Sequence, residues 1–69
     1  MAPRILRIGE VARRTGLSEA TLYRMAHTGR FPTPVRLGKR AIGWRREDVD
    51  EWVDDLQPAY PENVRHPRK

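Results

Sequence analysis

Arg24, Tyr23, His27 and Ala20 share one side of a helical stretch whose other side is Leu22, Met25 and Ala26. The apolar trio recurs at i, i+3 and i+4, so it defines a buried stripe and turns the first four residues to solvent. A guanidinium in the middle of such an exposed ridge can bond both acceptors on the edge of a guanine, and this makes Arg24 the candidate for base readout. Its alternatives are a phosphate contact or plain solvation. Thr21 and Tyr23 can reach a phosphate or a thymine methyl, and Tyr23 can equally lay its ring on a neighbouring hairpin. Ser18 and Glu19 open the stretch, where helix N–H groups point outward at phosphate, although a serine there is better suited to capping. Ala20 is small enough to let bases approach. A second basic group, Lys39 and Arg40 with the weaker candidate Arg36, lies further along and suits phosphate or minor-groove contact.

Other chemistries are poorly served. One serine, no cysteine and no glycine-rich phosphate loop leave nothing from which to build a nucleophilic or phosphoryl-transfer site. His27 and His66 are 39 positions apart with no cysteine near either, so no metal site is expected, and no cofactor is implied. The acids between Glu47 and Asp55 occupy a polar helix face and read as solvated. Trp44 and Trp52 lie on apolar faces and are expected in the core, which argues against a stacking platform for single strands.

The elements that must hold these side chains follow in order. A first helix is predicted over about Gly9–Thr15, with Val11 and Ala12 inward and Arg13 and Arg14 turned away. Gly16 suits the left-handed stop, and Ser18 suits the cap of a second helix over about Ser18–Thr28, ended by Gly29. Arg13, Arg14 and Arg30 flank that helix as further backbone contacts. Phe31 is expected to turn back into the core, and Pro32 and Pro34 hold their segment extended. Val35-Arg36-Leu37 and Ile42-Gly43-Trp44-Arg45 alternate around Gly38-Lys39-Arg40, which reads as a β-hairpin, a wing, with Lys39 and Arg40 at its tip. Ile5 or Leu6 adds an extended stretch on the core. A third helix is predicted over about Glu47–Leu56, from Val49, Trp52, Val53 and Leu56 at i, i+3, i+4 and i+7, stopped by Pro58. The fold class expected is mainly α with a small β-hairpin: three short helices and a two-stranded wing, a winged helix-turn-helix.

Length and charge agree with that size. Sixty-nine residues hold one small domain, expected at 1–56, followed by a Pro-containing basic tail at 57–69 that is expected to be flexible. The net charge of +5 conceals a polarised chain: residues 1–46 carry +9, residues 47–56 carry −6 and the tail carries +2. A basic front that coincides with the helix-turn-helix pattern favours phosphate-backbone binding over a merely soluble surface. No apolar run exceeds three residues, so no membrane span or signal core is expected, and the chain reads as cytoplasmic and nucleoid-associated.

Ile8-Gly9-Glu10-Val11-Ala12, Thr15-Gly16-Leu17-Ser18 and Thr21-Leu22-Tyr23-Arg24 resemble the start of a MerR-type DNA-binding domain. The continuation from Gly29-Arg30-Phe31-Pro32 through Pro34-Val35, Leu37-Gly38, Arg40 to Arg45, Val49 and Trp52 is closer still to the AlpA family of small phage and prophage regulators, allied to excisionases. The resemblance spans about residues 5–56. It implies a compact winged helix-turn-helix that binds double-stranded DNA in transcription control or in prophage excision, as a recombination directionality factor. The dimerising helix and effector domain of full MerR regulators have no counterpart here, so effector sensing is not implied. Expected partners are duplex DNA, further copies of the chain on adjacent sites, and an integrase or RNA polymerase. The rival reading is a protein-interaction module whose acidic third helix binds a basic partner.

Overall fold

A computed structural model describes residues 3–59. The element order is β1 (Ile5–Leu6), α1 (Ile8–Thr15), α2 (Glu19–His27), β2 (Val35–Arg36), β3 (Ile42–Arg45) and α3 (Arg46–Asp54). The expected tail lies largely outside this range, at 60–69, and so does His66.

The turn between α1 and α2 forms for the reasons its residues suggest. Gly16 sits at φ 78°, and its N–H donates to the Ala12 carbonyl at 2.8 Å, closing α1. Ser18, extended at φ −71° and ψ 157°, caps α2, its hydroxyl accepting the Thr21 N–H at 3.1 Å. At the far end Gly29 takes φ 83°. Its N–H reaches the Ala26 carbonyl, while the Arg30 N–H reaches that of Met25 at 2.8 Å. This paired closure satisfies carbonyls that a helix end otherwise leaves open.

The sheet is larger than the two-stranded wing the sequence suggests. Its order is β1-β3-β2, antiparallel throughout, with Ile5 opposite Arg45, Leu6 opposite Trp44, Val35 opposite Gly43 and Arg36 opposite Ile42. Strand β1 can close on β3 because position 43 is glycine. A Cβ there would stand 2.7 Å from Ile5 Cγ2, 2.9 Å from the Leu6 carbonyl oxygen and 3.2 Å from Leu37 Cδ1. The fold is therefore three helices around a three-stranded antiparallel sheet.

Leu6, Val11, Leu22, Phe31, Trp44 and Val49 are the buried core. Each helix, each of β1 and β3, and the segment leaving α2 supplies one of them, so of the elements only β2 adds no fully buried side chain. Burial of side chains of this size contributes about 1.5–3 kcal/mol each. Phe31 closes the core as expected, edge-on to Trp44 and to Trp52, with ring centroids 6.2 and 4.8 Å away.

Helix α3 departs from its predicted face. It ends at Asp54, and only its first turns lie over the core: Val49 is buried and Trp52 half-buried, while Val53 is 38% and Leu56 56% exposed. The apolar period continues past the point where there is core to cover. Asp54 and Asp55 also oppose the negative end of the helix dipole, which suits termination there.

Candidate nucleic-acid interface

Ser18, Thr21 and Arg24 are spaced three apart along α2, and their polar atoms meet. The Ser18 hydroxyl, besides capping the helix, donates to Thr21 Oγ1 at 2.8 Å. The Arg24 guanidinium leans back towards the same oxygen at 3.5 Å, a loose contact that leaves most of its donors unengaged. Glu19 and Ala20 are exposed in the first turn. Tyr23 is 42% exposed and stands against Trp44 of β3, with ring centroids 6.1 Å apart and planes tilted by 45°. Of its two sequence-level alternatives the ring contact is therefore present, and it joins the outer face of α2 to the hairpin. His27 is exposed and borders a shallow groove with Tyr23, Ala26, Thr33 and Pro34.

The hairpin tip is braced from below. The Leu37 and Gly38 N–H groups both point at the Ala41 carbonyl, at 2.7 and 3.3 Å. Arg36 donates from Nη1 to the Lys39 carbonyl at 3.2 Å, so part of its guanidinium shapes the turn. Lys39 and Arg40 are exposed, with no ion pair to either among the described residues.

The arginines of α1 turn away from the core as expected, but they are engaged in surface ion pairs. Glu10 accepts from Arg13 at 2.7 Å and from Arg14 at 3.4 Å, and Arg14 also reaches Asp50 of α3 at 3.2 Å. One carboxylate thus gathers both arginines, and the second arginine bridges to the acidic helix. The Arg13 hydrogen bond, helped by the charge of both arginines, holds the Glu10 carboxyl below its ordinary range. These pairs are largely exposed and contribute little to stability. Their effect is to moderate the basic charge on α1, leaving Arg24, Lys39 and Arg40 as the less engaged cations of the candidate face.

Two supporting bonds escaped the sequence reading. The Trp44 indole N–H donates to the Pro32 carbonyl at 2.7 Å, and the Trp52 indole N–H donates to that of Arg30 at 3.0 Å. Both hold the segment that links α2 to the hairpin. An apolar pattern marks where an indole packs, but it does not say which carbonyl the N–H will find. Trp44 could have been singled out as the partner of Tyr23 only by its alternation with Ile42 on one strand face.

Among the described residues, no helix is long and apolar enough to cross a membrane.

No solved structure matches this chain. Two curated relatives do. The uncharacterized protein ORF88 of Enterobacteria phage P4 is 38% identical over 50 residues, covering 72% of this chain and 57% of that protein. The DNA-binding transcriptional activator AlpA of Escherichia coli K12 is 34% identical over 58 residues, covering 75% of this chain and 83% of the relative. The chain thus spans little more than half the length of the phage protein. The family described as the prophage CP4-57 regulatory protein, AlpA, matches residues 4–56. That span takes in every element from β1 to α3. The chain belongs to this AlpA family, a family of regulatory proteins and not of enzymes.

Proposed function

We propose that this chain binds duplex DNA and controls transcription, as a winged helix-turn-helix unit formed by residues 1–56. Helix α2 enters the major groove and presents Ser18, Glu19, Ala20, Thr21, Tyr23, Arg24 and His27, while Arg36, Lys39 and Arg40 of the hairpin hold the flanking backbone. Arg24 reads a base, and Lys39 and Arg40 contact phosphate. The observation that carries the reading is the exposed guanidinium of Arg24 in mid-helix, its only described contact being Thr21 Oγ1 at 3.5 Å. The polarised charge supports it, with +9 over residues 1–46. The name of the E. coli relative, a DNA-binding transcriptional activator, favours transcription control over excision.

Selection of bound duplexes from a random pool, followed by affinity measurements over a salt series, tests this. If about four to six basic residues meet phosphate, log K falls against log[salt] with a slope of roughly −4 to −5. A slope near zero, or a pool that yields no enriched sequence, removes the reading.

A further inference from the structure

The hydroxyl of Thr21 stands between two partners on one ridge of α2. Ser18 Oγ accepts the Thr21 N–H at 3.1 Å and donates its own proton to Thr21 Oγ1 at 2.8 Å. That oxygen also receives Arg24 Nη2 at 3.5 Å. A hydroxyl has two acceptor sites and one proton, so with both acceptor sites turned along the helix the Thr21 proton must point away from Ser18 and Arg24. Thr21 itself is only half-buried.

We infer that Thr21 is a specificity-determining residue that acts through Arg24: its hydroxyl, polarised by Ser18, holds the guanidinium back along the helix axis and pre-sets it for base readout. The inference rests on the reading of Arg24 as a base reader. The physical basis is the cost of ordering a long side chain. A free arginine loses its rotamer freedom when it docks on a base, whereas one already restrained loses less. Only Nη2 is engaged, so the remaining guanidinium donors can meet a base edge while the contact to Thr21 is kept. The Ser18 bond is short, and it fixes where the restraining oxygen lies. Thr21 is therefore a positioning residue, and its aliphatic shape is secondary to its oxygen.

The substitution Thr21→Val isolates the effect. Valine keeps the branched shape and the backbone N–H that Ser18 caps, and it replaces by a methyl the oxygen that Arg24 approaches and to which Ser18 donates. Three variants, Thr21→Val, Thr21→Ser and Arg24→Ala, are compared with wild type on the duplex that wild type selects and on an unrelated duplex of equal length. The expected result for Thr21→Val is a specific-to-unrelated affinity ratio reduced about three- to tenfold. The unfolding midpoint should stay close to wild type, and Thr21→Ser should restore the ratio. In the free protein, the Arg24 Nε–H resonance of Thr21→Val should show a lower heteronuclear NOE, which a purely structural role for Thr21 would not produce. If Arg24→Ala lowers the ratio while Thr21→Val leaves both ratio and NOE unchanged, the positioning role is wrong and the base reader stands. If Arg24→Ala itself leaves the ratio unchanged, the base-reading proposal fails and this inference falls with it.

Discussion

Trp44 donates its indole N–H to the carbonyl oxygen of Pro32 at 2.7 Å, joining the middle of β3 to the segment that leaves α2. The same indole stands against the Tyr23 ring, with centroids 6.1 Å apart, and is wholly buried. One side chain therefore fixes the helix, its exit and the hairpin relative to one another. The positions of Arg24 and of Lys39–Arg40 are set by different elements, and Trp44 is where those elements are held together.

Trp44→Phe keeps an aromatic ring in the core and removes the donor. The Pro32 carbonyl then loses its partner, and the smaller ring leaves a void, so the domain should lose about 1–3 kcal/mol. Urea unfolding would show this as a lower midpoint with little change in slope. An unchanged midpoint would mean that water replaces the bond at no cost.

Gly43→Ala should be more damaging than most surface glycine substitutions. The new methyl meets Ile5 Cγ2 at 2.7 Å and the Leu6 carbonyl oxygen at 2.9 Å, and the second of these is backbone that cannot swing aside. Either β1 separates from β3 or the sheet deforms, at a cost of about 1–3 kcal/mol. Amide exchange should quicken first at Leu6 and at Arg46, whose N–H donates to the Arg4 carbonyl at 2.7 Å. Wild-type protection at those amides would show that β1 is not held as described.

Arg24→Ala and the pair Lys39→Ala with Arg40→Ala should fail in different ways. The first should cost about 1–3 kcal/mol on the selected duplex, relax one base position and spare unrelated DNA. The second should weaken both duplexes alike and flatten the salt slope by about one to two units. All these side chains are exposed, so both variants should keep wild-type thermal stability.

The Glu10 carboxyl gives a pH prediction of definite sign. Its pKa in the folded chain lies below the ordinary value, because protonation would forfeit the hydrogen bond from Arg13. Stability from this group is therefore present above the unfolded pKa and is lost as pH falls through the lower, folded value. Glu10→Gln should unfold with a melting temperature that depends less on pH in the acid range, below about pH 4.5. Parallel wild-type and variant curves from pH 6 to pH 3 would show that the arginines hold no charge-dependent contact.

Much of the fold is legible because it is written locally. Gly16, Ser18 and Gly29 announce the ends of α1 and α2 through requirements that a few neighbouring residues fully determine, and the structure puts two of them at positive φ. Strand β1 is not announced in this way. Two residues carry no period, and their pairing depends on a glycine far along the chain. The stripe of α3 was legible, but its depth was not. Periodicity tells which residues share a face, and only the extent of the core tells that Val49 is covered and Leu56 is not. The candidate site divides similarly. Exposure of Arg24, Lys39 and Arg40 follows from pattern, whereas the contact of Arg14 with Asp50 joins helices that are neighbours only in space.

Pairing Ile5 with Arg45 also gives the domain an order of assembly. As the chain leaves the ribosome, α1, the turn and α2 are complete early, but helices of eight and nine residues are marginal without tertiary contacts. Strand β1 emerges before all of them, yet it has no partner until the hairpin has followed. Until then Leu6 lacks the strand it pairs with, and the early helices lack Trp44, which later closes over them. The loop that must close is most of the domain, and closure over such a span slows folding more than it weakens the folded state. The last strand to be made is thus the one that admits the first.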